Sequence, residues 1–563
     1  YSLIIYTKFQ ERIIEKRGAH IMKADQLYLG NVITMDEKKP YAQAVAVKNG
    51  LIQYVGSEDI ARSLCDENTK IIDLKGNTIY PGFLEAHCHP LGAGKALDTD
   101  SVIDVSSGNN LEEYVEIITA FIENHPGKKI YSGQGFKERD VQPTGAMLDA
   151  ISKEIPIMIS SVDGHSLWLN SAAMNRFDIN KTAVQEYGSD LVRVDEEGNP
   201  TGYISEAPVF TIRRKLTMDK ETGMKSLLTS QNFFFSKGYI AVYDAGLELM
   251  DKKCPEFYME LEKENKLKLR TYAGSYIDEN CEDIKGAVEN IAKMQENNSE
   301  HFKVIGVKTF ADGVVEAHTA YLLEDYLDQE GYKGAARMTE HEKLVELYTQ
   351  AAIHNMNVHV HSVGDGAIHC HLDAIEEAIK ATGKTDMRNA LAHLQIVKKE
   401  DIQRFADLNV IAVVAPLWSP KDPVYFKQEL EYVGSERAES AYPIKSFIDA
   451  GTTYAFHTDF PVSKIVGIPE TVFTAVKRRY ADGTEENVRA SDEFITRYQA
   501  LAGLTKNVAF MWHEDSRLGS LEVGKIANMA VFNKNFLSDD LDEIANASLV
   551  CTIVDGEIVY TQE

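Results

Sequence analysis

The stretch "PGFLEAHCHP", residues 81–90, is an apolar run that ends in two histidines one residue apart. Alternation along a strand puts residues i and i+2 on one face, so His87 and His89 point the same way and Cys88 points the other. Such a pair is able to hold one metal ion. Two hydrogen-bonded histidines at a strand end read the same way, so the pair alone leaves both options open. The fold turns on whether other strands end in the same manner.

Three later runs do. "NVHVHSVGDG" carries His361 at its end, "NALAHLQ" carries His393 and "TYAFHTDFP" carries Asp459, all nitrogen or oxygen donors suited to zinc or a similar divalent ion. His359 shares a face with His361, and spacing does not choose between them. With "NTIYPGFLEAH", "YIAVYDAG", "LKLRTYAG", "VIGVKTFADG" and "VIAVVAP", these runs make eight candidate strands. Helical-period segments such as "HEKLVELYTQAAIHN" and "GAIHCHLDAIEEAIKATG" lie between many of them. The pattern predicts an α/β fold, a (β/α)8 TIM barrel with its chemistry at the C-terminal ends of the strands. A doubly wound open sheet is the alternative, but polar residues end many different strands here and are not gathered at one crevice.

Lys308, in "GVKTFADG", is flanked by Val307 and Phe310. An ammonium there must snorkel outward, pair with a carboxylate such as Asp312, or lose its charge. Residue chemistry alone favours the ion pair. Carbamylation by CO2 is the other route, and it would turn the side chain into an anionic oxygen ligand able to bridge two metal ions.

The two ends of the chain resemble each other. "AQAVAVKNGLIQYVG" alternates about Asn49-Gly50 and "LVCTIVDGEIVYTQ" about Asp555-Gly556, both signals for hairpins with type I′ turns. A short hairpin has too little surface to stand alone, which predicts one small β-sandwich domain made from residues 22–78 and 517–563. Residues 79–516 then form the barrel, with an inserted subdomain over about 98–235, an interval too long for a loop. Residues 1–21 are expected to be a tag or upstream extension, with the natural start at Met22.

The 563 residues carry 59 basic and 86 acidic side chains, a net charge of −27, which repels nucleic acid and anionic membrane surfaces. Neither a nucleic-acid nor a membrane partner is expected, and a homodimer is compatible with the sequence without being specified by it. Six cysteines without a CxxC pair suit reduced thiols and a cytoplasmic location. "FQERIIEKR" reads as a solvated amphipathic stretch and "KRRY" (477–480) as an exposed helix end. His369 and His371 form a second HxH, but on a helix residues i and i+2 diverge by about 200° and cannot readily share an ion.

In order along the chain, "PGFLEAHCHP", "VKTFADG", "VHVHSVGDGA", "LAHLQ" and "HTDFP" resemble the amidohydrolase superfamily, specifically the amidohydrolase-3 branch of N-substituted formamide deformylase-like enzymes. "SVDGHSLWLNSAAM", "VDEEGNPTGYISEA" and "GSLEVGKIANMAVF" extend the resemblance over nearly the whole chain from residue 22. It implies a binuclear centre with His87, His89, Lys308, His361, His393 and Asp459 as metal ligands, and two divalent ions, zinc being the ion these donors suit. It also implies a CO2-derived carbamate on Lys308. Asp459, Lys308 and His165 would be catalytic, with His165 and Trp168 binding a small-molecule amide-type substrate.

Three positions depart from the family pattern: Ala392 where glutamate is frequent, His457-Thr458 where Gly-Ser is common, and Asn528 where aspartate is usual. None removes a ligand. The implied reaction is hydrolysis of a non-peptide C–N bond by a metal-bound hydroxide, the ions lowering the pKa of water to roughly 7. A mononuclear deaminase of the same superfamily is the alternative, against which Lys308 argues. A non-catalytic scaffold is the third reading, against which the complete set of ligand types argues.

Overall fold

Phe83–Cys88 (β1) is buried along its whole length. Seven further strands follow it: Tyr239–Ala245 (β2), Arg270–Tyr276 (β3), Phe302–Phe310 (β4), Asn357–Ser362 (β5), Ala390–His393 (β6), Ile411–Val414 (β7) and Tyr454–Phe456 (β8). Each pairs in parallel with its predecessor in the chain. Just past the ends of β1 and β8, Asp459 N donates to His87 O (3.0 Å) and His89 N donates to Phe460 O (2.9 Å), which brings the first and last strands together. The architecture is therefore the predicted (β/α)8 barrel, seen in a computed structural model that describes residues 22–98, 102–137, 143–463 and 465–562.

Parallel strands need crossover helices on the outer face, and both faces of each strand are then buried. Helix Asp365–Thr382 shows why these segments pack: Ile368, Leu372 and Ile375 fall on one face and are buried, and the helix stops at Gly383, whose φ of +69° few side chains tolerate.

The two chain ends join in a seven-stranded sheet, in which Met529–Phe532 pairs antiparallel with Lys70–Pro81. Both predicted hairpin turns are present, with positive φ at Asn49, Gly50, Asp555 and Gly556 as type I′ geometry demands. Tyr28, Val45, Ile52, Met529, Val531 and Ile553, from opposite halves of the sheet, share one core.

Between β1 and β2 the chain builds a six-stranded sheet running from Ile103 to Ser205. The expected insert of about 98–235 contains this sheet and also helix Lys220–Phe235, whose Leu227, Phe234 and Phe235 are buried in the barrel core. Residues 1–21, including "FQERIIEKR", lie outside the described residues. Among the described residues no helix is long and apolar enough to cross a membrane, and none of the cysteines is paired.

Candidate metal centre

Strand alternation turns Glu85 and His87 inward from β1 and sends Cys88 to the core, where its Sγ lies 3.6 Å from Tyr243 O. His89 follows as the N-cap of helix Pro90–Ala96. Asp459 Oδ1 stands 3.5 Å from His87 Nε2 and 3.2 Å from His89 Nε2, and Oδ2 stands 4.0 Å from His393 Nδ1. His87, His393 and Asp459 are buried and offer donor atoms that all lie within 4.8 Å of one another. The His361 ring is 4.4 Å from that of His393. His393 (φ +83°) and Asp459 (φ +57°) both hold left-handed backbone, which costs a non-glycine residue about 1–3 kcal/mol and is tolerated where the surrounding fold imposes it.

Several of these polar atoms are buried without a hydrogen-bond partner: both ring nitrogens of His393 and His457, Nδ1 of His89 and Nζ of Lys308. Buried polar atoms in a folded protein are almost always satisfied, so a convergent set of orphaned donors fits a cation. Burial pushes His87, His359, His361, His393 and His457 below the ordinary histidine range, and the Lys308 charge pushes each the same way. They are thus neutral, the form that ligates. Burial would raise the Asp459 carboxyl, but His89 beside it, with His457 and Lys308, holds it below its usual value.

The choice between His359 and His361 is made by depth. His359 Nε2 lies 2.8 Å from His87 Nδ1 and its ring stacks on Tyr243 at 4.5 Å, one layer down in the barrel. It engages Nδ1 of His87 and leaves His87 Nε2 facing Asp459. His361 Nε2 donates to Gly313 O (3.1 Å), which leaves its Nδ1 as the free donor.

Lys308 is fully buried and makes no ion pair with Asp312. The Asp312 carboxylate instead accepts from the backbone N–H groups of Tyr321, Val363 and Gly364. Burial lowers the lysine to about 7, against the attraction of Asp459. The ion pair favoured by residue chemistry is therefore replaced by an amine that has no hydrogen-bond partner and lies 4.7 Å from the Phe310 ring.

The insert delivers His165, whose ring lies 5.3 Å from that of His361. Its Nδ1 is 3.0 Å from Glu206 Oε2, and Glu206 also accepts from Thr319 Oγ1 (2.8 Å) and Arg337 Nη1 (3.4 Å). Burial would lower His165, but the Glu206 carboxylate raises it to about 9. Trp168 is not brought to the site. It is buried between Phe136 and Tyr203 in the core of the inserted sheet, with Nε1 donating to Thr144 O (2.8 Å). His87, His89, His165, His361 and Asp459 line one cavity of about 390 Å³.

Glu206, Arg337 and Trp418 were not singled out by sequence. Glu206 lies inside "GYISEA", matched only as a string, and Trp418, stacked 5.4 Å from His393, carries no signal. His457, noted as a departure, stands with its ring 5.0 Å from His393 and 5.2 Å from His87. His369 and His371 part as expected, towards Asp401 and Tyr348. "KRRY" is not simply an exposed helix end: Arg478 is buried, donating to the carbonyls of Ala441, Tyr442 and Arg489. Asn528 serves the small sheet, its Oδ1 accepting from Asp555 N (2.8 Å).

Among known proteins, N-substituted formamide deformylase of Arthrobacter pascens is 26% identical over 94% of this chain and 97% of its own length. Protein LONG AFTER FAR-RED 3 of Arabidopsis thaliana is 26% identical over 94% of this chain and 90% of its own. An uncharacterized metal-dependent hydrolase from Pyrococcus horikoshii shares the fold with a TM-score of 0.72 at 22% identity, over 92% of this chain and 99% of that one. The amidohydrolase family matches residues 70–560, and with that match added to the barrel and its cluster of donors, the chain belongs to the amidohydrolase family of hydrolytic enzymes.

Proposed function

We propose that the protein hydrolyses a non-peptide C–N bond, in an amide, N-formyl or N-acyl group of a small molecule, at a binuclear centre. His87, His89, His361, His393 and Asp459 would hold two divalent ions, zinc by the chemistry of the donors, with Lys308 as a carbamate between them. The observation that carries this reading is the fully buried Lys308 amine, 4.7 Å from the Phe310 ring and without a hydrogen-bond partner, among orphaned imidazole nitrogens. Lowered to about 7, Lys308 is in part free amine at neutral pH, the form that adds CO2 to give a carbamate and a proton. The formamide deformylase of A. pascens, similar over almost the whole chain, supports the substrate class.

Ions held here supply acidity to a bound water and polarise the substrate carbonyl. The chain's own residues do the rest. Asp459, kept ionised by the imidazole beside it, accepts the proton of the attacking water and returns it to the leaving nitrogen. His165, kept protonated by Glu206, offers its second ring N–H to the oxygen that gains negative charge.

Lys308→Ala tests the arrangement. Metal content per chain and hydrolysis of N-formyl, N-acyl and cyclic amide compounds should fall together, by at least about tenfold. Full metal occupancy with full activity in that variant removes the bridging role. One ion per chain in the unmodified protein, with ammonia as the sole product, supports the mononuclear deaminase instead.

A further inference from the structure

The cavity that holds the candidate centre also holds two cations that the hydrolytic chemistry does not use. Lys95 lies on helix Pro90–Ala96, which His89 caps, six residues and hence about 9 Å of helical rise beyond that histidine. Arg213 comes from helix Ala207–Lys215, which follows the inserted sheet, so the two reach the same cavity from different modules. Arg213 Nη2 donates to Ser160 Oγ (2.7 Å), its guanidinium lies 5.7 Å from the Phe210 ring, and Gly164, next to His165, leaves space against it.

Among the described residues the Lys95 side chain has no hydrogen-bond or ion-pair partner, and Ser160 is the one hydrogen-bond partner of the Arg213 side chain. The carboxylates of the cavity wall are otherwise engaged. Asp98 pairs with Lys225 (3.3 Å), and Asp163 Oδ1 accepts from Ser161 Oγ (2.5 Å) and His165 N (2.9 Å). Burial lowers Lys95 and the Arg213 charge lowers it further, so the two cations repel each other across the space. Asp163 and Glu206 support the charge of Arg213, whereas no carboxylate supports Lys95, and a guanidinium and an ammonium lining one cavity form a receptor for a carboxylate. Met158, Leu249, Met250 and Val462 on the same wall suit an apolar side chain.

Resting on the hydrolase reading above, we infer that the substrate is an N-acylated compound bearing a carboxylate, of the N-acyl amino acid class, which Lys95 and Arg213 bind. Binding and turnover are read separately, with metal-loaded protein and two probes that differ only in charge, N-acetylphenylalanine and its carboxamide. Calorimetry should show the acid bound at least about tenfold more tightly than the amide. In Lys95→Gln/Arg213→Gln that preference should collapse while metal content stays as in the unmodified protein. A preference retained in the double variant assigns carboxylate binding elsewhere and overturns the inference. So does the lack of any preference in the unmodified protein, whether both probes bind or neither does. Release of free amine from N-acyl and N-formyl compounds reports on the hydrolase reading alone: a Lys95/Arg213-dependent preference without hydrolysis sinks that reading and leaves the anion site, whereas hydrolysis without preference does the reverse.

Discussion

Glu206 is fully buried in left-handed backbone (φ +59°), with its carboxylate shared among His165, Thr319 and Arg337. Its effect is to keep a proton on an imidazole that burial alone would strip. Activity that needs this proton should be present at neutral pH and decline as pH rises through about 9. In Glu206→Gln the imidazole becomes neutral and its second nitrogen offers a lone pair where an N–H is required. A fall in kcat of about 100-fold is expected, with metal content unchanged and the pH optimum moved towards acid. A Glu206→Gln profile that overlays the unmodified one would remove His165 from the chemistry. At this scale the sequence is legible where a two-residue alternation writes the face, as for His87, His89 and Cys88. It is illegible where the answer is depth: His359 and His361 share a face, and pairing with β4 and β6 decides which one reaches the mouth. Trp168 shows a further limit, since three positions from His165 the strand has already turned its ring into the inserted core.

Among the elements, two neighbouring barrel helices are joined by His371, on Asp365–Thr382. Its Nε2–H donates to Met338 O (2.9 Å), and its Nδ1 accepts from the hydroxyl of Tyr348 (2.7 Å) on His341–Ile353. The bond accepted at Nδ1 needs the neutral ring, and burial lowers the group to about 4 against the Met338 carbonyl, which favours the protonated form. The unfolded chain, with histidine near 6.5, binds the extra proton first, so this site's contribution is present above about 6.5 and is lost as pH falls towards 4. His371→Gln keeps a donor and an acceptor without the titration. It should flatten the acid limb of the stability curve by up to one proton, about 1.4 kcal/mol per pH unit, measured by urea unfolding between pH 7 and 4.5. An unchanged slope would mean that the ring is not kept neutral. Helix and strand order was readable because the period of apolar residues changes between them. The burial of Arg478 was not, because its φ of +49° turns the chain at the helix end and folds the guanidinium back onto carbonyls more than 30 residues away in sequence.

Across the whole molecule, the barrel and the sheet built from the chain ends meet at Arg270. This β3 side chain is 2% exposed, and its Nη2 reaches Asp555 Oδ1 (2.6 Å) in the C-terminal hairpin and Glu300 Oε1 (3.0 Å) before β4. Arg270→Met should destabilise the protein by about 1–3 kcal/mol. Combined with Asp555→Asn the loss should be less than additive, because the two changes remove the same contact. Strictly additive losses would show that the contact does not couple the modules. The joining of the ends was legible in the matched Asn-Gly and Asp-Gly turns. The Arg270 contact was not, since a long-range ion pair leaves no local pattern.

The meeting of the first and last barrel strands bears on how the protein reaches its working state. Glu85 accepts a hydrogen bond from Thr458 N across 373 positions of chain, and the candidate ligands from β1 and β8 flank that junction. Contacts of such high sequence separation slow folding, and this one brings His87 to Asp459. On the proposed ligand set, a chain still emerging from the ribosome, or one cut before residue 459, lacks part of the pocket for a cation. Loading of the proposed centre would then be a checkpoint that only a finished barrel can pass.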